Sequence, residues 1–309
     1  MKIVITGVAG FIGANLGRKL VEAGMDVSGI DNLSYGLMEN VPSSVEFHEK
    51  DIRDSGLEQL FRGADAVFHL AAKNCISDCQ SDPVETATIN VAGTVNVFEA
   101  ARQARVRKVI YAESSALYEG SSQFPTPESD VHSESFYAVS KLAGMYFAEA
   151  YKRYHGMIFT ALRYFCVYGP IQDYRRTIPP VMSAFIIKLL KGGQPVIYGS
   201  GRKRRDFVYV DDINEFHIKC LTDSRTDNRT FNLGSGRNYS VLEIYDMISR
   251  LLGTHIEPIF EPDLPGEAQQ TLADISEAKS VGWEPRTDLP TGMRNAISYI
   301  KGEMEKGRI

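Results

Sequence analysis

The chain has 309 residues, of which 43% are hydrophobic and 24% are charged, and its formal net charge is -5. Such a composition is typical of a globular protein that can build one large core or two coupled ones. The acidic balance, with a pI of about 5.8, argues against general binding to nucleic acids or anionic membranes. No apolar run reaches the roughly 18 residues that a membrane-spanning helix needs.

The number of cysteines and the first residues of the chain indicate the cellular compartment in which we expect the protein. Four cysteines, Cys75, Cys79, Cys166 and Cys220, are too few for a disulfide framework in a chain of this length. Cys75 and Cys79 have no second Cys or His pair nearby, so we predict reduced thiols and no metal site. Met1-Lys2 leads directly into an apolar run, so we expect no signal peptide and a cytoplasmic protein.

The first predicted element is a strand followed by a glycine turn. Residues 2–6 form a β-branched run, and Gly7, Gly10 and Gly13 follow in a GxxGxxG spacing before a helical pattern that ends near Ala23. Bare backbone at such a turn lets a pyrophosphate approach, and the helix dipole favours its charge. The spacing differs from GxGxxG, but its place directly after the first strand predicts a dinucleotide site.

An acidic residue ends the second predicted strand, which covers residues 26–30. Asp31 stands about 18 positions after the last glycine, where a carboxylate can accept hydrogen bonds from ribose hydroxyls. A 2′-phosphate there would meet like charge, so the sequence favours NAD over NADP. The alternative is that Asp31 only caps a turn.

The chain then alternates strands with helices. Strands are predicted at 45–48, 64–70, 106–111 and 157–162, and helices at 83–105 and 136–154. This order implies a right-handed, doubly wound α/β fold of the Rossmann type, with ligands at the carboxyl ends of its strands. His69 lies within an apolar strand and is expected to be a hydrogen-bonded core histidine.

After Gly169-Pro170 the alternation becomes irregular. Helices are predicted at 177–191, 240–252, 276–281 and 289–301, with short strands at 195–198 and 205–210 and a helix capped by Asp211. We expect residues 1–166 to form a Rossmann domain, to which segments near 205–235 return. Residues 167–309 are expected to form a smaller substrate-binding domain over the carboxyl edge of the sheet.

Tyr137 and Lys141 are the candidate catalytic pair. They lie four residues apart, on one face of the helix predicted at 136–154. A phenol normally loses its proton near pH 10, and a nearby ammonium group favours the phenolate. Tyr137 could therefore accept a proton near neutral pH. The spacing alone also fits two unrelated surface residues, so its meaning depends on the motifs before it.

Nine motifs occur in one order along the chain and together resemble a known family. They are GVAGFIG, Asp31-Asn32, Asp51-Ile52, HLAA at 69–72, NVAGT at 90–94, Ser114-Ser115, YAVSK, LRYFCVYGP and RDFVYVDD. Their succession resembles extended short-chain dehydrogenase/reductases, specifically nucleotide-sugar 4-epimerases of the UDP-galactose and UDP-N-acetylglucosamine 4-epimerase type. The resemblance runs from residue 1 to about 290.

The resemblance implies an isomerase that interconverts C4 epimers of UDP-hexoses through a transient 4-keto sugar, with NAD bound throughout. The implied NAD site consists of Gly7, Gly10, Phe11, Ile12, Gly13, Asp31, Asn32, Asp51, Ile52, Leu70, Ala71, Ala72, Lys73, Asn90, Tyr137, Lys141, Tyr164 and Val167. The implied catalytic residues are Tyr137, Lys141 and Ser114. The implied substrate residues are Ser114, Ser115, Tyr137, Cys166, Thr177, Val196, Tyr198, Arg205 and Thr271.

The resemblance also implies a partner. The helices at 83–105 and 136–154 are the usual dimer face of the family, as a four-helix bundle, so we expect a homodimer. Arg205 is the expected cation for the substrate diphosphate, because an Arg fork matches phosphate geometry. The residues before it, 202–204, are expected to form a solvated basic loop.

Departures from the family pattern fall on the substrate side. Cys166 stands where the family commonly has an Asn, and Leu264 stands where a phosphate-binding Arg is usual. Arg175 or Arg176 could supply that charge. Glu119 separates Tyr118 from Gly120, whereas in the family the Tyr is usually followed directly by Gly. Thr271 aligns with the gatekeeper beside the sugar C2 group, and a small residue there is expected to admit N-acetylated sugars.

Two rival interpretations remain. A UDP-glucuronate decarboxylase or a sugar-nucleotide 4,6-dehydratase shares the fold, but such enzymes carry an acid residue after the active-site hydroxyl, where this chain has Ala116. A non-catalytic NAD sensor would typically have lost Tyr137 or Lys141, and both are present.

Overall fold

The computed structural model describes residues 1–175, 179–263 and 268–309. Its strands, in chain order, are β1 (Lys2–Thr6), β2 (Asp26–Asp31), β3 (Glu46–Glu49), β4 (Ala66–His69), β5 (Lys108–Ser114), β6 (Ile158–Tyr164), β7 (Cys166–Tyr168), β8 (Val196–Tyr198), β9 (Arg204–Tyr209), β10 (Arg229–Leu233), β11 (Asn238–Ser240) and β12 (Ile259–Glu261). Its helices are α1 (Phe11–Glu22), α2 (Leu57–Leu60), α3 (Ile76–Ser81), α4 (Pro83–Ala87), α5 (Thr94–Gln103), α6 (Phe136–His155), α7 (Val181–Leu190), α8 (Val210–Thr222), α9 (Val241–Leu252), α10 (Ser276–Ser280) and α11 (Leu289–Glu305).

A seven-stranded parallel sheet organises the chain. Its order is β10-β6-β5-β4-β1-β2-β3, so the strands run outward from β1 to one edge and then from β4 to the other. The connections after β1 and β4 therefore diverge and leave a crevice beyond their carboxyl ends. This topology confirms the predicted doubly wound α/β fold.

Both faces of the sheet are covered by apolar side chains. On one face Val4 and Val109 pack in a buried cluster with Phe98 of α5. On the other, Ile5 and Phe68 belong to a larger cluster that also includes residues of α1, α8 and α11. Each such side chain contributes about 1.5–3 kcal/mol when it is removed from water, so this two-sided burial fixes the strand ends that carry the site.

The second half of the chain contributes to the central sheet and to two small ones. β10 pairs with β6 along its whole length, from Arg229 opposite Thr160 to Leu233 opposite Tyr164. β9 lies between β7 and β11, and β8 pairs with β12. The division into domains at residue 166 stays a prediction.

The predicted helix at 83–105 is helical along most of its length but not uniform. Between α4 and α5 the chain forms a π-helical segment, Thr88–Gly93. A Cβ at Gly93 would lie 2.7 Å from Ile52 Cδ1, so the segment packs unusually close to the loop after β3. Wide turns of this kind are frequent at functional sites.

Two predicted helix starts differ in the structure. Asp211 does not cap α8, because Tyr209 occupies the N-cap position and Asp211 lies in the first turn, where its charge still suits the helix dipole. The helix predicted from Thr177 begins at Val181, after Pro180. Thr177 itself lies outside the described residues. None of the helices in the described ranges combines the length and the apolar character that a membrane span requires.

Candidate functional site

A cleft of about 1900 Å³ opens at the carboxyl ends of the central strands. It reaches from the glycine turn after β1 to the small sheets of the second half. Every predicted site residue that the structure describes lines it, with the exception of Asn90. Thr177, Arg176 and Leu264 lie outside the described residues, so their predicted roles stay predictions.

The glycine turn brings β1, α1 and the start of the loop after β4 into close contact. Gly7 has φ +80°, and a Cβ there would lie 2.8 Å from Ala71 N. A Cβ on Gly13 would lie 2.1 Å from the Gly7 carbonyl oxygen, so a side chain at either position would force the turn apart. The N-cap, Gly10, supplies no side-chain acceptor to the first turn of α1, and Phe11, Ile12 and Gly13 of that turn line the cleft. The turn therefore has the form of an anion site for a dinucleotide pyrophosphate.

The end of β2 supplies the adjacent carboxylate. Asp31 Oδ2 accepts a hydrogen bond from Ala9 N at 3.0 Å, and Oδ1 accepts one from Leu33 N at 2.9 Å. Burial raises the pKa of Asp31, and these two bonds oppose that shift. The side chain is therefore fixed beside the glycine turn, in a position suited to ribose hydroxyls.

Arg53, which sequence analysis did not single out, organises the neighbouring loop. Its Nε and Nη2 donate to the two oxygens of Asp51 at 2.8 and 2.7 Å, and hydrogen bonding from Arg53 lowers the pKa of Asp51 to about 2. Asn32 Nδ2 also donates to Asp51 Oδ2 at 2.8 Å. The low pKa favours the anion of Asp51, whose hydrogen bonds join the ends of β2 and β3 at one wall of the cleft.

Asn90 lies behind the cleft wall rather than in it. Its Oδ1 accepts from Lys73 N at 2.8 Å, and its Nδ2 donates to Lys73 O at 2.9 Å and to Ser140 Oγ at 3.0 Å. Asn90 therefore holds the backbone of a cleft residue, Lys73, against α6. The Lys73 ammonium pairs with Glu85 at 2.6 Å.

His69 is a core histidine, as predicted. It is fully buried, and its ring nitrogens share hydrogen bonds with Thr6 Oγ1 at 2.8 Å and Thr94 Oγ1 at 2.9 Å. Burial, reinforced by the charge of Lys141, holds the pKa of His69 well below its usual value. The ring is neutral and ties β1, β4 and α5 together beneath the cleft.

Tyr137 and Lys141 lie in the first two turns of α6 and are 9% and 2% exposed. The Lys141 ammonium stands 4.5 Å from the centre of the Tyr111 ring, whose hydroxyl donates to Lys141 O at 3.0 Å. Burial lowers the pKa of Lys141 to about 8, and the charge of Glu113 opposes that shift. The pair therefore offers a buried phenol beside an ammonium that titrates close to neutral pH.

Glu119, the residue that breaks the family pattern, fixes the start of α6. Its Oε2 accepts from Ser135 N at 2.8 Å, and its Oε1 accepts from Ser135 Oγ at 2.9 Å. Ser135 is the N-cap of the helix, and its Oγ accepts from Ala138 N at 3.1 Å. The inserted carboxylate thus holds the cap two residues before Tyr137.

Two hydroxyls stand at the end of β5, opposite this helix. Ser114 Oγ accepts from Ala116 N at 3.2 Å, which leaves its proton available to a ligand. Ser115 follows it in a short 3₁₀ turn. Across the cleft floor, the Tyr164 hydroxyl shares a hydrogen bond with His217 Nε2 at 2.6 Å, and Cys166 and Val167 begin β7.

The far wall of the cleft comes from the small sheets. Val196 and Tyr198 lie on β8 and Arg205 lies on β9. Thr271 Oγ1 accepts from Asp206 N at 3.1 Å. The Asp206 carboxylate in turn accepts from Ser235, Gly236 and Ala273 N–H groups, so the segment that carries Thr271 is held firmly against β9.

The expectation of a solvated basic loop at 202–204 is wrong for two of its three residues. Lys203 is 6% exposed, pairs with Asp263 and lines the cleft. Arg204 pairs with Glu243 at 3.0 Å and donates to Asn238 from Nε and Nη2. Lys203 thus pairs with the segment after β12, and Arg204 joins β9 to β11 and α9; neither contact is visible in the run of basic residues. Arg202 is exposed.

Comparisons with known proteins agree with this geometry. The model of the NAD dependent epimerase/dehydratase family matches residues 3–234. The chain is 35% identical to a protein of Methanocaldococcus jannaschii described as a putative UDP-glucose 4-epimerase, over 97% of this chain and 98% of that one. It is 31% identical to a UDP-glucuronate 4-epimerase of Thermodesulfobacterium geofontis, over 98% and 97% of the two chains.

Solved structures show the same likeness. UDP-glucose 4-epimerase of Thermotoga maritima, solved with UDP-glucose, superposes with a TM-score of 0.95 at 33% identity and covers 98% of this chain and 100% of its own. UDP-N-acetylglucosamine 4-epimerase of Methanobrevibacter ruminantium, solved with UDP-N-acetylmuramic acid, gives 0.94 at 31% identity, with 98% and 99% covered.

Proposed function

This chain belongs to the NAD-dependent epimerase/dehydratase family, and we propose that it interconverts UDP-N-acetylglucosamine and UDP-N-acetylgalactosamine, with UDP-glucose and UDP-galactose as further substrates. The observation that carries the proposal is the joint lining of one cleft by the glycine turn, the Tyr137–Lys141 pair and the hydroxyls that end β5. The cofactor of this family is NAD, and the glycine turn with Asp31 fits its diphosphate and ribose.

The proposed chemistry needs a base at the sugar O4. NAD, when bound, would supply the hydride acceptor for the sugar C4 and the donor that reduces the opposite face of the keto sugar. Tyr137 removes the O4 proton in the first half-reaction and gives it back in the second. Lys141 stabilises the phenolate through its positive charge, and Ser114 donates a hydrogen bond to O4. Each residue thus acts twice, once in each direction, through a 4-keto sugar.

Epimerisation requires the sugar to turn over while its nucleotide stays fixed. Arg205 is the proposed anchor of the diphosphate, with Arg175 as a second cation on the cleft wall. Val196 and Tyr198 are proposed to receive the uracil. Cys166, a weak hydrogen-bond partner, faces the sugar side and would hold the ring loosely.

Thr271 supports the choice of N-acetylated sugars. It lines the cleft, and its hydroxyl is occupied by the backbone N–H of Asp206, so a small side chain stands where a larger one would narrow the pocket. An acetamido group at C2 is therefore admitted. This proposal predicts conversion of UDP-N-acetylglucosamine at a rate equal to or above that of UDP-glucose.

The rival activities find less support in the site. Elimination of water requires an acid group after the active-site hydroxyl, and Ala116 stands at that place. Two carboxylates within three residues of Ala116 make other contacts: Glu113 Oε2 accepts from Arg163, and Glu119 accepts from Ser135.

The direct experiment is to incubate the purified protein, without added cofactor, with UDP-N-acetylglucosamine, UDP-glucose, UDP-glucuronate and UDP-xylose. Anomeric NMR signals of the C4 epimers identify the accepted sugars. Conversion of UDP-glucuronate alone would overturn the proposed substrate class. A 4-keto-6-deoxy hexose as product would instead indicate a 4,6-dehydratase, and a pentose product from UDP-glucuronate would indicate a decarboxylase.

An unpaired apolar face on α6 supports the proposed homodimer. Phe136, Val139, Tyr146 and Tyr154 are 52%, 50%, 69% and 75% exposed, and Val84 of α4 is 77% exposed. These positions recur along one side of the helix, as expected for a helix that packs on a second copy. Sedimentation equilibrium should give twice the chain mass of 34.4 kDa, whereas a mass of one chain would contradict the dimer.

A further inference from the structure

Glu113 is a buried acid directly beside the proposed catalytic residues. It is the last residue but one of β5, immediately before Ser114, and it is 2% exposed. Its Oε2 accepts a hydrogen bond from Arg163 Nε at 2.9 Å. Its Oε1 has no hydrogen-bond partner in the described part of the chain. A buried carboxylate oxygen without a partner is costly, so its retention here calls for a physical reason.

Burial raises the pKa of Glu113, and the neighbouring Arg163 opposes that shift and favours the charged carboxylate. The two residues lie opposite each other on β5 and β6. Arg163 Nη1 donates to the Tyr118 hydroxyl at 2.8 Å, and that hydroxyl donates to Asn232 Oδ1 at 2.6 Å. A guanidinium does not lose its proton in proteins, so the fixed cation favours the carboxylate of Glu113.

Glu113 and Tyr111 lie on the same face of β5, because side chains alternate along a strand. Tyr111 on this face contacts Lys141 with both its ring and its hydroxyl. Glu113 therefore lies on the side of the sheet against which Lys141 is buried. Among the described residues no carboxylate lies in direct contact with Lys141, so Glu113 acts on it as a buried charge on the same side of the sheet.

We propose that Glu113 is a positioning residue that acts through Lys141: its buried negative charge keeps the Lys141 ammonium protonated beside Tyr137. The other titratable groups that face Lys141 are His69, which is neutral, and the phenols Tyr111 and Tyr137. Burial lowers the pKa of Lys141, and Glu113 is the charge that opposes this shift. In the reverse direction, burial raises the pKa of Glu113, and Arg163 and Lys141 oppose that shift.

The test measures the Lys141 titration directly in the NAD-loaded protein. With [13C]lysine labelling, the Lys141 Cε resonance is identified by its loss in Lys141→Arg, and its midpoint is followed from pH 6 to 11. Glu113→Gln should lower that midpoint by about one unit, because it removes a charge in a low-dielectric site. Glu113→Asp, which keeps the charge, should stay close to the parent. Glu134→Gln, which removes a charge at the exposed rim of the cleft, should have no effect.

Catalysis provides a second readout that rests on the proposed function. In Glu113→Gln the midpoint of the alkaline limb of the pH profile of kcat should shift to lower pH by the same amount, with KM unchanged. The NMR midpoint does not depend on turnover, so an inactive parent would refute the proposed function without touching this inference. An unchanged Lys141 midpoint in Glu113→Gln would overturn the inference itself.

A measurement on the unaltered protein covers the case in which Glu113→Gln fails to fold. The Glu113 Cδ resonance of [13C]glutamate-labelled protein should report an ionised carboxylate at pH 7. It should also show an inflection at the pH where Lys141 loses its proton, because coupled groups report each other's titration. A protonated Glu113 at pH 7, or the lack of that inflection, would overturn the proposal.

Discussion

Replacing Lys141 with Met should stabilise the folded protein while it removes activity. The side chain is 2% exposed, and burial lowers its pKa from 10.5 to about 8. A shift of this size corresponds to about 3 kcal/mol of destabilisation at neutral pH, at about 1.4 kcal/mol per pH unit. Met also loses the contact of the ammonium with the Tyr111 ring, worth about 1 kcal/mol, so the expected net gain is about 2 kcal/mol.

The pH dependence of this gain has a definite sign. Below pH 8, Lys141 is protonated in both the folded and the unfolded protein, and the full cost of burying its charge is present. Between pH 8 and 10.5 the unfolded chain binds the proton and the folded protein does not, so the parent gains stability as the pH rises. The advantage of the Met variant should therefore shrink across this window.

The assay is urea unfolding of NAD-free parent and variant at pH 7 and at several values up to 10.5. A matched control, Lys152→Met, alters a lysine of the same helix that lies near its exposed end and should leave stability within about 0.5 kcal/mol. The reasoning is refuted if the Lys141 variant is less stable than the parent at pH 7. A stability difference that does not change with pH would refute it equally.

Three further substitutions probe other parts of the cleft. Glu119→Ala should cost about 1–2 kcal/mol in thermal unfolding and lower kcat, because the Ser135 cap of α6 loses its carboxylate; an unchanged melting temperature would contradict this. Arg205→Met should raise KM for UDP-sugars about tenfold or more with little change in kcat, whereas the exposed control Arg202→Met should leave KM alone. Thr271→Tyr should reduce turnover of N-acetylated substrates selectively, and an equal loss on UDP-galactose would count against the gatekeeper role.

Features encoded in short stretches could be predicted from sequence. The glycine turn after β1, the position of Asp31, and the shared helix face of Tyr137 and Lys141 all follow from local spacing. The Ser240 cap of α9 is equally local, since Ser240 and Glu243 form a reciprocal capping box.

Features that depend on distant partners could not be predicted. The sequence predicts that segments near 205–235 return to the first domain, but not that the five residues of β10 pair with β6, far away in the chain. Lys203 lies in a run of basic residues, and only the folded chain shows its ion pair with Asp263. Glu113 and Arg163 are separated by fifty positions, so the local sequence around either residue does not indicate an ion pair beneath the proposed active site.

The most direct test of the account compares the parent with Tyr137→Phe. Both purified proteins are incubated with UDP-N-acetylglucosamine without added cofactor, and the anomeric signals are followed by NMR. The proposed mechanism predicts conversion to the C4 epimer by the parent and a loss of about 100-fold or more in the variant, because Phe cannot exchange the O4 proton. A Phe variant that converts the sugar as fast as the parent would contradict it.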